Sequence, residues 1–307
     1  MQSIFVTGGA GFVGSHVVER ALDRGMHVTV LDDLSSGRIG NLPVGVDLHR
    51  VDIANADEVI AICKDMLPPS AVIHCAAQAS VVRAIEDPAR NHAVNVEGTT
   101  NILRICETFR CPLVFTSTAG VYGDYPHRPI PESAPVAPLS PYAQSKALGE
   151  ALIHAHATEH DLPHVVCRLA NVYGPRQRGD GEAGVVAIFA HRIRHNESIT
   201  LFGNGLPTRD FIHVTDVAKG LFGAIGRRGT YNIATGTETS VREIFDLACE
   251  ALSSHPAPVM AELRSGEILN SSLDPALALN ELGWNARVAV ANGIPDTIKA
   301  LAYELDN

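Results

Sequence analysis

Thr7-Gly8-Gly9-Ala10-Gly11-Phe12-Val13-Gly14 is the stretch that decides how this chain folds. It follows a short β-rich apolar run at 3–7 and leads into residues 13–22, where apolar side chains recur at helical spacing, so its glycines occupy a strand-to-helix joint. There Gly8, Gly11 and Gly14 allow a tight turn, close approach to a pyrophosphate and close packing of helix on strand. The helix start adds unpaired N–H groups and the positive end of its dipole. A glycine cluster alone marks only a turn. Here a second apolar run, 27–31, ends at Asp32-Asp33, where a carboxylate can take the two hydroxyls of an adenosine ribose. The same carboxylate repels a 2′-phosphate, which favours NAD over NADP. Asp52, after a third run, is placed to accept from an adenine amino group, although an Asp after a strand is also a common cap.

Outward from this joint, apolar runs at 3–7, 27–31, 48–51, 71–74, 113–116 and 164–168 alternate with stretches of helical period. That alternation predicts βα units, a parallel sheet and right-handed crossovers that put helices on both faces. The fold class is therefore α/β, a doubly wound Rossmann fold. Helices are expected over 91–108 and 142–156; in the latter Ala147, Leu148, Ala151, Leu152 and Ala155 form one apolar stripe. Beyond about 168 the alternation degrades into Gly- and Pro-rich stretches and helical segments near 241–252, 275–282 and 294–305, read as a smaller C-terminal lobe. The expected division is 1–168 with 211–235 for the dinucleotide-binding domain, and 169–210 with 236–307 for the second lobe.

Composition excludes several functions. The 307 residues are 46% hydrophobic and 19% charged, ordinary for a globular protein, with no apolar run long enough to cross a bilayer. The net charge of −10 argues against a nucleic-acid partner. The start of the chain carries no secretory pattern, and the 6 cysteines include no C-x-x-C pair, so a cytoplasmic location with buried thiols and no metal site is expected. The histidines, His74 and His213 among them, read as structural or exposed. Lysine is scarce: Lys64, Lys146, Lys219 and Lys299 are all there is, which gives weight to a lysine inside a motif.

Tyr142-Ala143-Gln144-Ser145-Lys146 is such a motif. It sets a phenol and an ammonium one helical turn apart on one face. The lysine cation and a positive nicotinamide both favour the phenolate, so this spacing predicts a tyrosine base whose pKa is lowered toward neutrality. Upstream, the run 113–116 ends in Ser117-Thr118-Ala119-Gly120-Val121-Tyr122-Gly123, which puts hydroxyls at the carboxyl edge of the sheet, where open α/β sheets bind ligands.

With these motifs the chain resembles the extended short-chain dehydrogenase/reductase family, and within it the UDP-glucose (UDP-galactose) 4-epimerases. The resemblance runs end to end through TGGAGFVG (7–14), LDDLSSG (31–37), HCAAQASV (74–81), STAGVYG (117–123), YAQSK (142–146), RLANVYGPRQ (168–177), GNGLPTRDFIHVTDVA (203–218) and RSGEI (264–268). It implies Thr118, Tyr142 and Lys146 as the catalytic residues. It implies NAD on Gly8, Gly11, Phe12, Val13, Asp32, Asp33, Ser36, Gly37, Asp52, Ile53, Ala76, Ala77, Gln78, Asn95, Tyr142 and Lys146. On the substrate side it implies Ser117 and Thr118 at the sugar, Asn171 and Arg209 at the pyrophosphate, Phe202 at the uracil, and Arg264 with Glu267 at the phosphate and nucleotide ribose. A UDP-sugar substrate and a homodimer built on 91–108 and 142–156 are also implied.

The reaction expected from this resemblance inverts C4 through a transient 4-keto sugar. In dehydratases of the family an Asp-Glu pair follows the catalytic threonine. Ala119 and Gly120 stand there instead, and neither can move a proton. Decarboxylation and a UDP-glucuronate substrate stay open through Arg178, which could meet a sugar carboxylate. A UDP-N-acetylhexosamine stays open through the small Ser271. A non-enzymatic dinucleotide-binding regulator is the contrary reading; such a protein is expected to have lost the tyrosine and lysine that this chain keeps.

Overall fold

The computed structural model describes residues 2–63, 66–179, 184–263 and 268–306, with side chains through Tyr303. Six strands follow the predicted runs closely: β1 (Ser3–Thr7), β2 (His27–Asp32), β3 (Asp47–Arg50), β4 (Ala71–His74), β5 (Leu113–Thr118) and β6 (Val165–Leu169). A seventh, Gly229–Ile233, joins them, and every pairing is parallel. The order across the sheet is Gly229–Ile233, β6, β5, β4, β1, β2, β3. The seventh strand is missing from the apolar pattern because Asn232, fully buried in its middle, is polar. Its side-chain amide donates to the Ile130 and Asp274 carbonyls and its oxygen accepts from the Tyr122 hydroxyl, so burial leaves no group unpaired.

Strand order reverses at β1, whose neighbours are β2 on one side and β4 on the other. The loops that leave β1 and β4 part there and open a crevice at the carboxyl edge of the sheet. Around the sheet lie α1 (Phe12–Leu22), α2 (Ala56–Ile62), α3 (Val81–Glu86), α4 (Pro88–His92), α5 (Gly98–Phe109) and α6 (Pro141–His160); α7 (Val185–Arg194), α8 (Val214–Gly223), α9 (Val241–Leu252), α10 (Ala276–Leu282) and α11 (Val290–Asp306) follow. Each face of the sheet has its own core: Val6, Val17, Val114, Val165 and Leu221 on one side, Phe5, Val72, Ile102, Phe115 and Ile153 on the other. A third core, with Tyr173, Phe189, Phe211, Phe245 and Ile298, unites α7, α9 and α11 beyond β6.

The region expected as one helix over 91–108 is broken into α4, a π-helical turn at Ala93–Glu97 and α5. The extra residue in that turn has a local cause. The Thr99 hydroxyl donates to the Asn95 carbonyl at 2.7 Å, and the Asn95 side chain is drawn sideways to Gln78, Asn91 and Ser145.

Beneath the carboxyl edge, Glu150 of α6 and Arg168 of β6 form a buried ion pair, joined at 2.6 Å between Nη2 and Oε2 and at 3.0 Å between Nε and Oε1. The Ser117 hydroxyl donates to the same carboxylate, Arg168 also donates to the Glu132 carbonyl, and its guanidinium lies 4.6 Å from the centre of the Tyr122 ring. Removing one partner leaves a buried charge unpaired. Glu150→Gln is therefore expected to cost about 3–5 kcal/mol in urea denaturation; a loss below about 1 kcal/mol would show that the pair holds nothing in place.

Candidate active site

The crevice at the strand reversal widens into a cleft of about 990 Å³ along the carboxyl edge of the sheet. At its centre the chain turns from β1 into α1. Gly8 has φ +67°, its N–H donates to the Leu31 carbonyl at 2.7 Å, and a Cβ on it would lie 2.6 Å from Ala76 N. A Cβ on Gly14 would lie 2.0 Å from the Gly8 carbonyl oxygen. Only glycine fits these two close approaches, one between loops and one between helix and loop. No side chain caps α1 and no acid occupies its first turn, so its first N–H groups and positive dipole end face the cleft.

Asp32, at the end of β2, is 6% exposed and accepts from Ala10 N–H and Leu34 N–H, each at 2.9 Å. Burial raises its pKa, and these N–H donors oppose the rise. Asp33 accepts from the Ser35 backbone and hydroxyl. Asp52 accepts from Ala54 N–H at 3.0 Å. Gln78 accepts from Ser80 N–H through its side-chain oxygen, while its side-chain nitrogen is buried without a partner among the described residues. That is a donor left for a bound group.

At the other end, Ser140 and Pro141 start α6: the serine hydroxyl accepts from Ala143 N–H at 3.2 Å and proline takes the first helical position. This start sets Tyr142 in the cleft wall, which Thr118 also lines; the Thr118 hydroxyl accepts from Gly120 N–H at 3.1 Å. The Tyr142 phenol makes no hydrogen bond among the described residues. One turn deeper, Lys146 is 3% exposed, and its Nζ donates to the Thr116 carbonyl at 2.9 Å and lies 4.7 Å from the centre of the Phe115 ring. Burial lowers its pKa to about 8, against the raising influence of Cys75 and Glu150. Burial also pushes the Tyr142 phenol up to about 12. The lowered phenol expected from the spacing is thus absent from the protein alone, because burial penalises the phenolate.

The cleft wall brings together Gly8, Gly11, Phe12, Val13, Asp32, Asp33, Ser36, Asp52, Ile53, Ala76, Ala77 and Gln78 with Thr118, Tyr142, Asn171, Arg178 and Arg209. Four other expected residues sit behind it. Gly37 backs Asp32, close enough that a Cβ would meet the carboxylate at 2.8 Å. Asn95 is buried behind Gln78, where it accepts from Gln78 N–H at 2.8 Å and donates to its carbonyl at 3.0 Å. Lys146 lies beneath the wall. Ser117 was expected at the sugar, but its side chain points the opposite way from Thr118, as neighbours on a strand must, and meets Glu150. Phe202 ends the strand Thr200–Phe202 outside the wall, while Arg264 and Glu267 lie outside the described residues. Arg178 reaches the Ser36 carbonyl at 3.4 Å, on the Asp32 side of the cleft. Arg209 donates to the Thr208 carbonyl at 2.7 Å. Ala119, Gly120 and Ser271 also line the wall.

Some contacts escape the motifs. The Arg90 guanidinium bridges Asp52 and Asp33. His74 links Thr7, at 2.6 Å, to Thr99, at 3.1 Å, and burial lowers its pKa to about 3, so it is a neutral strut between β1 and the first turn of α5. Far along α6, His156 and His160 share a site with Glu107, their candidate ligand atoms lying within 4.8 Å of one another. Their i, i+4 spacing is a signal in the sequence that reading the histidines as structural or exposed, for want of ligand spacing, passes over. However, Leu113 N–H donates to Nδ1 of His164, so His164 Nε2 carries its proton and donates to Nδ1 of His156. That leaves the His156 proton on Nε2, the nitrogen a metal would need bare.

Comparison with known proteins matches residues 4–234 to the profile of the NAD dependent epimerase/dehydratase family. UDP-glucose 4-epimerase of Mycolicibacterium smegmatis is 40% identical over 96% of both chains. The crystal structure of UDP-glucose 4-epimerase from Thermotoga maritima with UDP-glucose superposes with a TM-score of 0.95, at 36% identity, over 99% of this chain and 100% of that one. The Thermus thermophilus UDP-glucose 4-epimerase complex with NAD superposes with a TM-score of 0.91, at 39% identity, over 98% and 99%.

Proposed function

Since the chain belongs to the NAD dependent epimerase/dehydratase family, we propose that it is an NAD-dependent UDP-sugar 4-epimerase of the UDP-glucose/UDP-galactose type. The observation that supports this reading is that Tyr142 and Thr118 both line the cleft, with Lys146 one helical turn along from Tyr142 and Ala119 and Gly120 in the same wall. The first three supply a base, a hydroxyl partner and a charge; the last two offer no group able to take a C5 proton or expel a C6 hydroxyl.

NAD, when bound, supplies a two-electron hydride acceptor that can return the hydride it takes. The protein does the rest. The start of α1 and the glycine turn bind the pyrophosphate through N–H groups. Asp32 takes the adenosine ribose, and Gln78 offers its unpartnered nitrogen. Tyr142 removes the C4 hydroxyl proton as hydride leaves C4, and Thr118 shares that hydrogen bond. After the 4-keto sugar turns over, the hydride would return to the opposite face of C4, and Tyr142 would return the proton to the C4 oxygen. Asn171 and Arg209 hold the substrate pyrophosphate, so binding energy is spent away from the reacting carbon. Phe202, Arg264 and Glu267 are proposed at the nucleotide end by resemblance. Arg178 contacts the Ser36 loop, which supports a neutral hexose over a uronic acid. The small Ser271 in the wall supports admission of an N-acetyl group as a second substrate. All six cysteines are free thiols, which suits a reducing compartment such as the cytoplasm. Among the described residues no helix is long and apolar enough to cross a membrane.

Incubated with UDP-glucose and no added reductant, the protein is expected to yield UDP-galactose by NMR, and Tyr142→Phe to slow this by about 10²–10⁴ while retaining bound NAD. Loss of water or carbon dioxide from the sugar would overturn the assignment. The pH dependence follows from Lys146: it is cationic below about 8 and neutral above, so its support for the phenolate is withdrawn as pH rises. The rate constant kcat/KM should therefore fall on the alkaline side near pH 8, and Lys146→Met should abolish that limb; a limb unchanged in the variant would assign it to another group. A homodimer is proposed from the apolar row Val81, Val82 and Ile85 on α3 beside Leu148 on α6, between 45% and 63% exposed. Sedimentation should give twice the chain mass, and a monomer at every concentration would exclude it.

A further inference from the structure

At the end of the cleft away from Tyr142, Arg90 does something neither the motifs nor the proposed reaction requires. It sits in the first turn of α4, where the Asp87 carboxylate accepts from its backbone N–H at 2.9 Å and fixes the helix start. From there the guanidinium spans the ends of two strands: Nη1 donates to Asp52 at 2.6 Å and Nη2 to Asp33 at 3.4 Å. All three line the cleft, next to Asp32. The carboxylates cannot turn away, since Ser35 holds the second oxygen of Asp33 and Ala54 N–H that of Asp52. Burial alone would raise the Asp52 pKa, but the hydrogen bond from Arg90, the Ala54 N–H and the Arg90 charge together hold it below the usual carboxylate range. Arg90 is 40% exposed, so its charge is not sealed in a core.

An arginine beside the adenosine ribose is the group that ordinarily receives a 2′-phosphate, because its planar fork matches phosphate oxygens. Here both prongs of the fork are given to carboxylates, and Asp32 adds a third negative group. A 2′-phosphate entering this corner meets three carboxylates against one guanidinium. Building on the reading of the cleft as a dinucleotide site, we propose that Arg90 is a cofactor-selectivity residue: tied to Asp33 and Asp52 it completes a wall that rejects a 2′-phosphate, and once those partners are neutralised it becomes a receptor for one. Discrimination then rests on the pairing state of Arg90 as well as on Asp32.

The test is nucleotide exchange on the purified holoenzyme. The protein is incubated with equimolar NAD and NADP, desalted, and heated; the released nucleotides are counted by chromatography. Wild type is expected to release NAD almost alone. Asp33→Asn with Asp52→Asn should raise the NADP to NAD ratio about tenfold or more, and adding Arg90→Met should take that gain away. If the gain survives in the triple variant, it came only from lost repulsion and Arg90 has no selective role. No gain in the double variant overturns the inference equally. Should the double variant not fold, Asp33→Ser with Asp52→Ser, with and without Arg90→Met, frees both prongs of the fork and gives the same comparison. A wild type that takes up neither dinucleotide sinks the functional reading itself, whereas NAD uptake without these shifts sinks only the role of Arg90.

Discussion

A carboxylate and a guanidinium buried under the carboxyl edge of the sheet organise everything above them. Glu150 and Arg168 are each nearly inaccessible to water, so their desolvation is tolerable only while every remaining prong and oxygen is paired. That requirement recruits Ser117 from β5, the Glu132 carbonyl and the Tyr122 ring, and fixes where α6 lies against the sheet. Glu150, Lys146 and Tyr142 are spaced four apart on that helix, so they share one face. With Glu150 anchored, Lys146 falls beneath the cleft at the Thr116 carbonyl and Tyr142 at its mouth. The geometry of the proposed base is thus inherited, one helical turn at a time, from an ion pair that never meets a ligand.

The same logic explains which site residues were legible. Gly8, Gly11, Gly14, Asp32, Tyr142 and Lys146 belong to local patterns, a strand-to-helix joint, a strand end, a helical turn, where short spacing alone dictates geometry. The parallel sheet was legible for the same reason, since most of its strands are short runs rich in apolar and β-branched residues set between helical stretches, the polar edge strand β3 being the exception. Ser117 and Thr118 were not separable in this way. Both carry hydroxyls at the end of one strand, and which of the two faces the cleft depends on a partner 33 positions away. Thr118 follows Thr116 on one face, whereas Ser117 follows Phe115 toward α5 and α6.

What stayed hidden is mostly long-range and polar. The chain of hydrogen bonds from Ala76 N–H to Thr7, on to His74 and Thr99, and finally to the Asn95 carbonyl spans three segments. No spacing rule announces it, and a lone histidine in an apolar strand looks like ordinary core. Asn95 was expected at the cofactor and instead braces Gln78, which does line the cleft. Arg90 is hidden for a similar reason: an arginine in a short polar helix is usually a solvated charge, and only tertiary structure brings it to Asp33 and Asp52. Arg264 and Glu267 lie outside the described residues, so their roles rest on resemblance alone.

These pieces together give the cleft a polarity that constrains how a dinucleotide can lie in it. One end presents Asp32, Asp33 and Asp52, with Arg90 already committed to two of them; this end suits the hydroxyls of an unphosphorylated ribose and repels added phosphate. The middle presents the bare N–H groups and positive dipole end of α1, a place for pyrophosphate. The far end presents a phenol and a buried ammonium, which suit a cationic ring poorly unless the phenol ionises. Ionising Tyr142 and binding a positive ring therefore favour one another: each removes part of the cost that burial imposes on the other. Burial that holds the phenol near 12 in the protein alone is then what couples the base to the cofactor, because a bound cation, added to the charge of Lys146, restores to the phenolate stabilisation it lost on leaving water.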